Sequence, residues 1–145
     1  MKIFVINGPN INLLGLREPE IYGRQTYEDL CALVRAHAEA CGVTVRLVQS
    51  NHEGALVDAI QQAYFDGFDG IVFNPAAYTH TSVAIADAVA AVRLPTVEVH
   101  ISDVNAREDF RKISYLRAVA IATVSGEGLN GYLHAMDLLI SRANA

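Results

Sequence analysis

Short apolar runs recur along the whole chain, and polar or helix-forming stretches separate them. The runs are rich in β-branched residues and bounded by Gly, Pro, Asn or Asp, which is typical of strands. The predicted strands cover residues 3–6, 43–47, 71–73, 96–100 and 118–124.

Between these strands, apolar positions recur at helical spacing. The clearest case begins at Thr26, where Thr26 and Asp29 have the spacing of a capping box, and ends at Gly42. The other predicted helices cover residues 50–67, 82–93 and the stretch through 132–140, with a short charged helix after the fourth strand. Five repeats of strand then helix require right-handed crossovers and helices on both faces of a parallel sheet. We therefore expect the fold class α/β, a flavodoxin-like doubly wound five-stranded parallel sheet, as a single domain over residues 1–145.

The segment from Asn7 to Gln25 is long for a connection in a small domain. Connections of more than about 12 to 15 residues are usually lids or binding loops. The segment is therefore a candidate lid or binding loop on its length alone.

Composition narrows the function classes. The chain has 145 residues, a formal net charge of -5, 52% hydrophobic residues and no run of Lys and Arg, so it has no signature of a nucleic-acid binder or a membrane-surface module. No apolar run approaches the ~20 residues of a membrane span, and Asn7-Gly8 interrupts the amino terminus too early for a signal peptide. We expect a cytoplasmic protein that binds neither nucleic acid nor membrane, with Cys31 and Cys41 as buried free thiols.

Polar side chains follow the predicted strands at the points where each strand ends. These residues are Asn7 and Asn10, Asn51 and His52, Asn74 with Tyr78, His80 and Ser82, His100 with Ser102, Arg107 and Arg111, and Ser125. Ligands of doubly wound folds collect at this edge of the sheet, so the residues indicate a binding site there. For Asn7, Asn51 and Ser125 the alternative is an ordinary turn or helix cap.

Glu98 and His100 stand two apart on the fourth strand, so their side chains point to the same side of the sheet. A carboxylate beside an imidazole orients the ring and raises its affinity for a proton, as a general acid requires. A structural hydrogen-bonded pair is the alternative interpretation of the same spacing.

Several chemistries lack their signatures. A metal site from His80, Glu98 and His100 would lack any closely spaced ligand motif, and the first turn matches neither a dinucleotide fingerprint nor a phosphate loop. The first strand ends without the acidic residues of a receiver domain, and no nucleophile elbow occurs. We expect neither metal nor cofactor, and acid–base chemistry on a small polar anion.

Five separated motifs resemble the type II 3-dehydroquinate dehydratases, nearly from end to end of the chain. They are Asn7-Gly8-Pro9-Asn10, the segment 15–23 that contains Arg17 and Tyr22, Gln49–Gly54, Asn74–Ser82, and Glu98–Ser102, followed by Arg107, Arg111 and Gly131-Tyr132. The resemblance implies anti elimination of water from 3-dehydroquinate, through an enolate, to give 3-dehydroshikimate. It also implies a homododecamer built as a tetramer of trimers.

The resemblance assigns roles position by position. It implies that Tyr22 is the base, that His100 is the acid with Glu98 supporting it, that Asn10 holds the water that stabilises the enolate oxygen, and that Arg17 is the essential lid arginine. The implied substrate-binding residues are Asn74, His80, Ile101, Ser102, Arg107 and Arg111, together with Asp87, which is lent to a neighbouring subunit's site. Ala76, Asp103 and Asn105 depart from the family's usual Gly, Asn and His.

Two alternatives remain open. A lysine Schiff base would define a type I enzyme, but neither Lys2 nor Lys112 lies in a predicted apolar pocket that would activate it. A flavodoxin-like binding module could keep the pocket without turnover. The sequence does not distinguish a role in aromatic biosynthesis (the shikimate pathway) from quinate breakdown.

Overall fold

A computed structural model gives the fold of this chain, and it describes residues 1–16 and 18–145 apart from the side chain of Tyr22. The strands are β1 (Lys2–Asn7), β2 (Thr44–Gln49), β3 (Gly70–Asn74), β4 (Thr96–His100) and β5 (Ala122–Ser125). They form one parallel sheet in the order β2-β1-β3-β4-β5. This topology confirms the predicted flavodoxin-like sheet.

Helices cover both faces of the sheet. They are α1 (Pro19–Tyr22), α2 (Tyr27–Cys41), α3 (Glu53–Phe65), α4 (Val83–Val92) and α5 (Asn130–Ala143). One core contains side chains of α2 and α5 against the sheet, and the other contains those of α3 and α4. The predicted capping box is confirmed at the start of α2, where the Asp29 N–H donates to Thr26 Oγ1 and the Thr26 N–H donates to the Asp29 carboxylate.

Three details differ from the predictions. The segment after β4 forms 3-10 turns at Val104–Ala106, Asp109–Lys112 and Leu116–Ala118 instead of a regular helix. The last of these turns closes through hydrogen bonds from the Val119 and Ala120 N–H groups to the Leu116 carbonyl, so β5 begins later than predicted. Cys31 is buried as expected, but the prediction for Cys41 is wrong because it is the last residue of α2 and lies exposed.

No helix within residues 1–16 and 18–145 is both long enough and apolar enough to cross a bilayer.

The polar ends of β1, β3 and β4 meet at one edge of the sheet. The strand order reverses at β1, which lies between β2 and β3, and this is the point where doubly wound folds bind ligands.

Candidate active site

A cleft opens at the carboxyl ends of β1, β3 and β4. Its walls are formed by Pro9, Asn10, Ile11, Asn74, Ala76, Ala77, His80, His100, Ile101, Ser102, Val104, Arg107 and Arg111. The predicted convergence of polar residues at this edge is therefore present in the structure.

His100 lines the cleft, and the buried side chain of Glu98 contacts it. His100 Nε2 lies 2.6 Å from Glu98 Oε1, and the two residues are 5% and 0% exposed. Because a carboxylate only accepts, Nε2 carries the proton of this bond, which leaves Nδ1 to exchange a proton with a ligand. The two side chains, which the sequence predicted to lie on the same side of the sheet, are thus hydrogen-bonded to each other.

The Glu98 carboxylate is held in its ionised form. Burial raises its pKa, but hydrogen bonds from His100 and Ser114 and the charge of Arg117 outweigh burial and lower the pKa below its ordinary value. Ser114 Oγ donates to Glu98 Oε1 at 2.7 Å, and Thr123 Oγ1 donates to Oε2 at 3.2 Å. The carboxylate therefore has a fixed position and a fixed charge.

His80 also lines the cleft, and its surroundings favour the neutral imidazole. Its Nδ1 lies 2.7 Å from the Ile113 carbonyl oxygen, which can only accept, so Nδ1 carries the proton. Burial lowers the pKa of His80, and the nearby His100 and Arg111 lower it further. The remaining nitrogen, Nε2, is then an acceptor for a ligand hydroxyl.

Two arginines make one wall of the cleft positive. Arg111 Nε donates to the Glu108 carboxylate at 2.7 Å. Arg107 is only 12% exposed at its side chain and lies 3.5 Å from the carboxylate of Glu18, which belongs to the segment before α1. Guanidinium groups in this arrangement can bind a carboxylate or stabilise a nearby anion.

The amide of Asn74 is fixed on both of its ends. Its Nδ2 donates to the Tyr132 hydroxyl at 2.8 Å, and its Oδ1 accepts from the Ala76 N–H at 3.1 Å. The Tyr132 hydroxyl in turn donates to Asn7 Oδ1 at 2.6 Å, and the three hydrogen-bonded side chains are all buried. Asn7, for which a turn or cap was the alternative, therefore supports the cleft from beneath.

The two loops at the floor of the cleft touch each other through backbone. A Cβ at Gly8 would lie 2.4 Å from the Pro75 carbonyl oxygen, and the Gly8 N–H donates to the Asn74 carbonyl at 2.8 Å.

Ala76 has φ +53, in the left-handed region that favours glycine. The backbone at position 76 therefore favours glycine, the residue that the resemblance implies there.

Asn10 also has a left-handed backbone, with φ 69, and its N–H donates to the Asn51 side chain at 3.0 Å. That contact joins the loop after β1 to the loop after β2. Of the other two departures from the family pattern, Asp103 accepts from the Asn105 N–H at 3.0 Å and so caps a 3-10 turn.

The remaining predicted site residues have different placements. Ile101 and Ser102 follow β4 directly and line the cleft. Asp87 is exposed on α4 and does not line the cleft. Arg17 lies outside the described residues, and Tyr22 is described only as the last residue of α1.

Sequence reasoning missed the apolar wall and the hydroxyl beneath Asn74. Pro9, Ile11, Ala77 and Val104 line the cleft. Pro9 belonged to the motif that follows the first strand, and Ala77 belonged to the Asn74–Ser82 motif. Neither residue was given a role in the site. Tyr132 closed the last family motif, but nothing in the sequence indicated its contact with residues 58 and 125 positions away.

Comparison with known proteins gives one consistent result. The dehydroquinase class II family profile matches residues 1–140. A 3-dehydroquinate dehydratase of Lachnospira eligens is 52% identical over 144 residues, which cover 99% of this chain and 98% of the relative. A 3-dehydroquinate dehydratase 1 of Ralstonia nicotianae is 53% identical over 141 residues, covering 97% and 90% of the two chains.

Solved structures agree with these relatives. A type II dehydroquinase from Butyrivibrio crossotus superposes with a TM-score of 0.96 at 52% identity, and 97% of each chain is covered. A type II dehydroquinase from Propionibacterium acnes gives a TM-score of 0.92 at 41% identity, with 97% and 96% of the chains covered.

Proposed function

Because this chain belongs to the class II dehydroquinase family, it is an enzyme of the 3-dehydroquinate dehydratase type, and we propose that it removes water from 3-dehydroquinate by anti elimination through an enolate. The observation that carries this proposal is the Glu98–His100 pair, which is buried at the base of a cleft with two arginines on its wall. It combines a proton donor with a site for an anionic substrate.

In this mechanism Tyr22 is the base that removes the proton next to the ketone, and the electrons move into an enolate. Asn10 holds the water that hydrogen-bonds to the enolate oxygen. His100 then protonates the departing hydroxyl from Nδ1, while Glu98 holds Nε2 and stabilises the imidazolium until its proton is transferred. The proton removed by Tyr22 and the proton given by His100 balance the loss of one water molecule.

A phenolate base needs neighbouring cations. Because a free phenol has a pKa of about 10, only about one Tyr in a thousand is ionised at pH 7. In the proposal, Arg17 and Arg107 lower the pKa of Tyr22, since a guanidinium within a few ångströms favours the anion. The segment 15–25 closes as a lid, which excludes water and strengthens both effects.

Substrate binding uses the rest of the cleft. Arg111 and the backbone N–H groups of Ile101 and Ser102 bind the substrate carboxylate, while Asn74 and the acceptor nitrogen of His80 bind its hydroxyls. The fixed amide of Asn74 supports this part of the proposal, because it presents an orientation that does not depend on the ligand.

The direct test is to add 3-dehydroquinate to the purified chain and follow the ultraviolet absorbance of the conjugated product. We expect turnover by the wild type and a loss of about 10²-fold to 10⁴-fold in kcat for Tyr22→Phe, because the variant lacks the base. Circular dichroism of both proteins serves as the folding control. Absence of product with the wild type, or full activity of Tyr22→Phe, contradicts the proposal.

Two further measurements separate the alternatives. Borohydride treatment with substrate should leave the mass of the protein unchanged, since no lysine is proposed to form an imine. A binding module would instead bind substrate in a calorimeter and give no product.

The assembly and location are part of the same proposal. We propose a homododecamer, a tetramer of trimers in which Asp87 reaches a neighbouring subunit's site, acting in the cytoplasm in aromatic biosynthesis or quinate breakdown. The exposed position of Asp87 on α4 supports this role, since an exposed carboxylate outside the cleft is available to a neighbour. Sedimentation measures the assembly directly.

A further inference from the structure

A second cluster of reactive side chains lies at the far end of the molecule from the cleft. His37 and Cys41 are one turn apart on α2, and Asp137 faces them from α5. Cys41 ends α2 just before the start of β2, so the cluster lies toward the amino-terminal edge of the sheet, whereas the cleft lies at the carboxyl edge.

All three side chains converge on one nitrogen. His37 Nε2 lies 2.7 Å from Asp137 Oδ1 and 3.6 Å from Cys41 Sγ, and the three potential donor atoms lie within 4.8 Å of one another. A nucleophilic Cys–His–Asp triad would place the thiol and the carboxylate at opposite nitrogens of the ring. Because both groups here meet the same nitrogen, the geometry fits ligands around a common centre and does not fit a proton relay.

We propose that His37, Cys41 and Asp137 form a binding site for a borderline divalent metal ion, with Zn²⁺ as the best match. Imidazole nitrogen, thiolate and carboxylate are the three donor types that zinc uses in proteins. Three protein ligands leave the fourth tetrahedral position to water. The site is separate from the proposed catalytic residues and from their substrate.

The distances are close to those that a bound ion requires. Zinc bonds of 2.0 to 2.3 Å in a tetrahedron separate neighbouring ligand atoms by about 3.3 to 3.8 Å. The His37–Cys41 separation of 3.6 Å already matches, and the other two pairs need shifts of about an ångström or less. Because Cys41 and Asp137 are exposed, such shifts need only side-chain rotation.

The surroundings favour a cation. Cys41 is the last residue of α2, and the negative end of a helix dipole stabilises positive charge there. Binding requires that Cys41 release its thiol proton to water, so the affinity is expected to rise with pH. A bound ion would also link α2 to α5, two helices that cover the same core.

The chain offers a matched control on α5, the helix that carries Asp137. His134 forms an exposed pair with Glu127 at 3.0 Å, which provides an imidazole and a carboxylate but no thiol. If any exposed His–carboxylate pair were enough, His134 would bind the ion as well as His37 does.

The experiment is a titration of the full-length, chelator-treated and reduced protein with Co²⁺ as a spectroscopic substitute for zinc, followed by competition with Zn²⁺. We expect one equivalent to bind with a thiolate-to-cobalt charge-transfer band, and Zn²⁺ to displace it. Cys41→Ser should remove the band, and His37→Gln and Asp137→Asn should weaken binding by more than about tenfold. His134→Gln should bind as the wild type does, and dehydratase activity should be unchanged in all four variants.

Thermal unfolding gives an independent readout. Zn²⁺ should raise the unfolding midpoint of the wild type and of His134→Gln, and should leave that of Cys41→Ser unchanged, because only a ligand bound to the folded state stabilises it. The proposal is overturned by the absence of a charge-transfer band in the wild type, by a band that persists in Cys41→Ser, or by equal weakening in His134→Gln. Since these readouts need no substrate, their failure is distinct from failure of the proposed dehydratase activity.

Discussion

The β4 side of the cleft and the segment that contains α1 are built in opposite ways. On the β4 side, Glu98 and His100 are buried in the sheet, and the Glu98 carboxylate accepts hydrogen bonds from three side chains. In the segment, α1 has only four residues and no side-chain cap, and the residues from Pro19 to Thr26 are exposed wherever their side chains are described. The ion pair between Arg107, which lines the cleft, and Glu18 connects the two regions.

This contrast indicates how the chemistry is divided. The proton donor lies where a parallel sheet holds it before substrate arrives, which avoids reorganisation during the reaction. The proposed base belongs to a segment whose described side chains between Pro19 and Thr26 are exposed, which suits a part that must admit substrate and then close. Changes on the β4 side should therefore alter stability and activity together, whereas changes on the segment should alter activity alone.

On the β4 side, the largest effect is expected from Glu98→Gln. The substitution keeps the shape of the side chain but removes the charge that stabilises the imidazolium of His100, so we expect kcat to fall by about 10²-fold. Initial rates with 3-dehydroquinate measure the change, and an unchanged kcat would contradict the supporting role of Glu98.

The same variant also tests how the stability of the fold depends on pH. The pKa of Glu98 is lower in the folded chain than its ordinary value of 4.5, so the unfolded state binds more protons as the pH falls. Its contribution to stability is present above that value and is lost as the pH falls through the lowered pKa. Urea unfolding across a pH series should show a flatter acid slope for Glu98→Gln than for the wild type.

Tyr132→Phe should give the next largest effect. Loss of the hydroxyl leaves Asn7 Oδ1 and Asn74 Nδ2 buried without this partner, which costs about 1 to 3 kcal/mol in the free energy of unfolding. Because Asn74 also loses its fixed orientation, KM should rise more than kcat falls. Equal stability of the two proteins by urea unfolding would show that the buried hydrogen bonds do not support the cleft.

Ala76→Gly should act in the stabilising direction. A left-handed φ of +53 is strained for alanine and relaxed for glycine, so we expect a gain of about 0.5 to 1 kcal/mol in the free energy of unfolding. Thermal and urea midpoints measure it, with Ala77→Gly, at the neighbouring position in the cleft wall, as the matched control. A lower stability for Ala76→Gly would mean that this loop gains nothing from a relaxed backbone.

The smallest effect on stability is expected from Glu18→Gln, which breaks the ion pair between the segment and the cleft residue Arg107. An ion pair that is partly exposed contributes less than about 1 kcal/mol, so the unfolding midpoint should hardly move. The rate constants should nevertheless change, and they should depend less on salt than those of the wild type. A large loss of stability would break the comparison, because the segment would then be part of the rigid structure.

The sequence predicted those features that depend on local periodicity. The five strands, the capping box of Thr26 and the shared side of Glu98 and His100 follow from spacings of two to four residues. The convergence at one edge follows from parallel topology. The shared side of Glu98 and His100 needs only the alternation of side chains along a strand, and the convergence needs only the common direction of the strands.

What the sequence did not predict depends on contacts between distant segments. Tyr132 reaches the cleft floor from α5, and Asp137 meets His37 across 100 positions of sequence. The spacing of His37 and Cys41 was available as a signal on one helix, but the wrong expectation that Cys41 is buried concealed it. The 3-10 turns after β4 likewise depend on where Leu116 enters the core.

The contact between Gly8 and Pro75 limits any attempt to redesign the enzyme for another substrate. Positions such as Ala77 and Val104 can be randomised to reshape the pocket, because their side chains line its wall. Position 8 tolerates no such choice, since even a methyl group would meet a carbonyl oxygen at 2.4 Å and force the two loops apart. A mutant library should therefore keep this codon fixed and place its diversity at lining positions such as Ala77 and Val104.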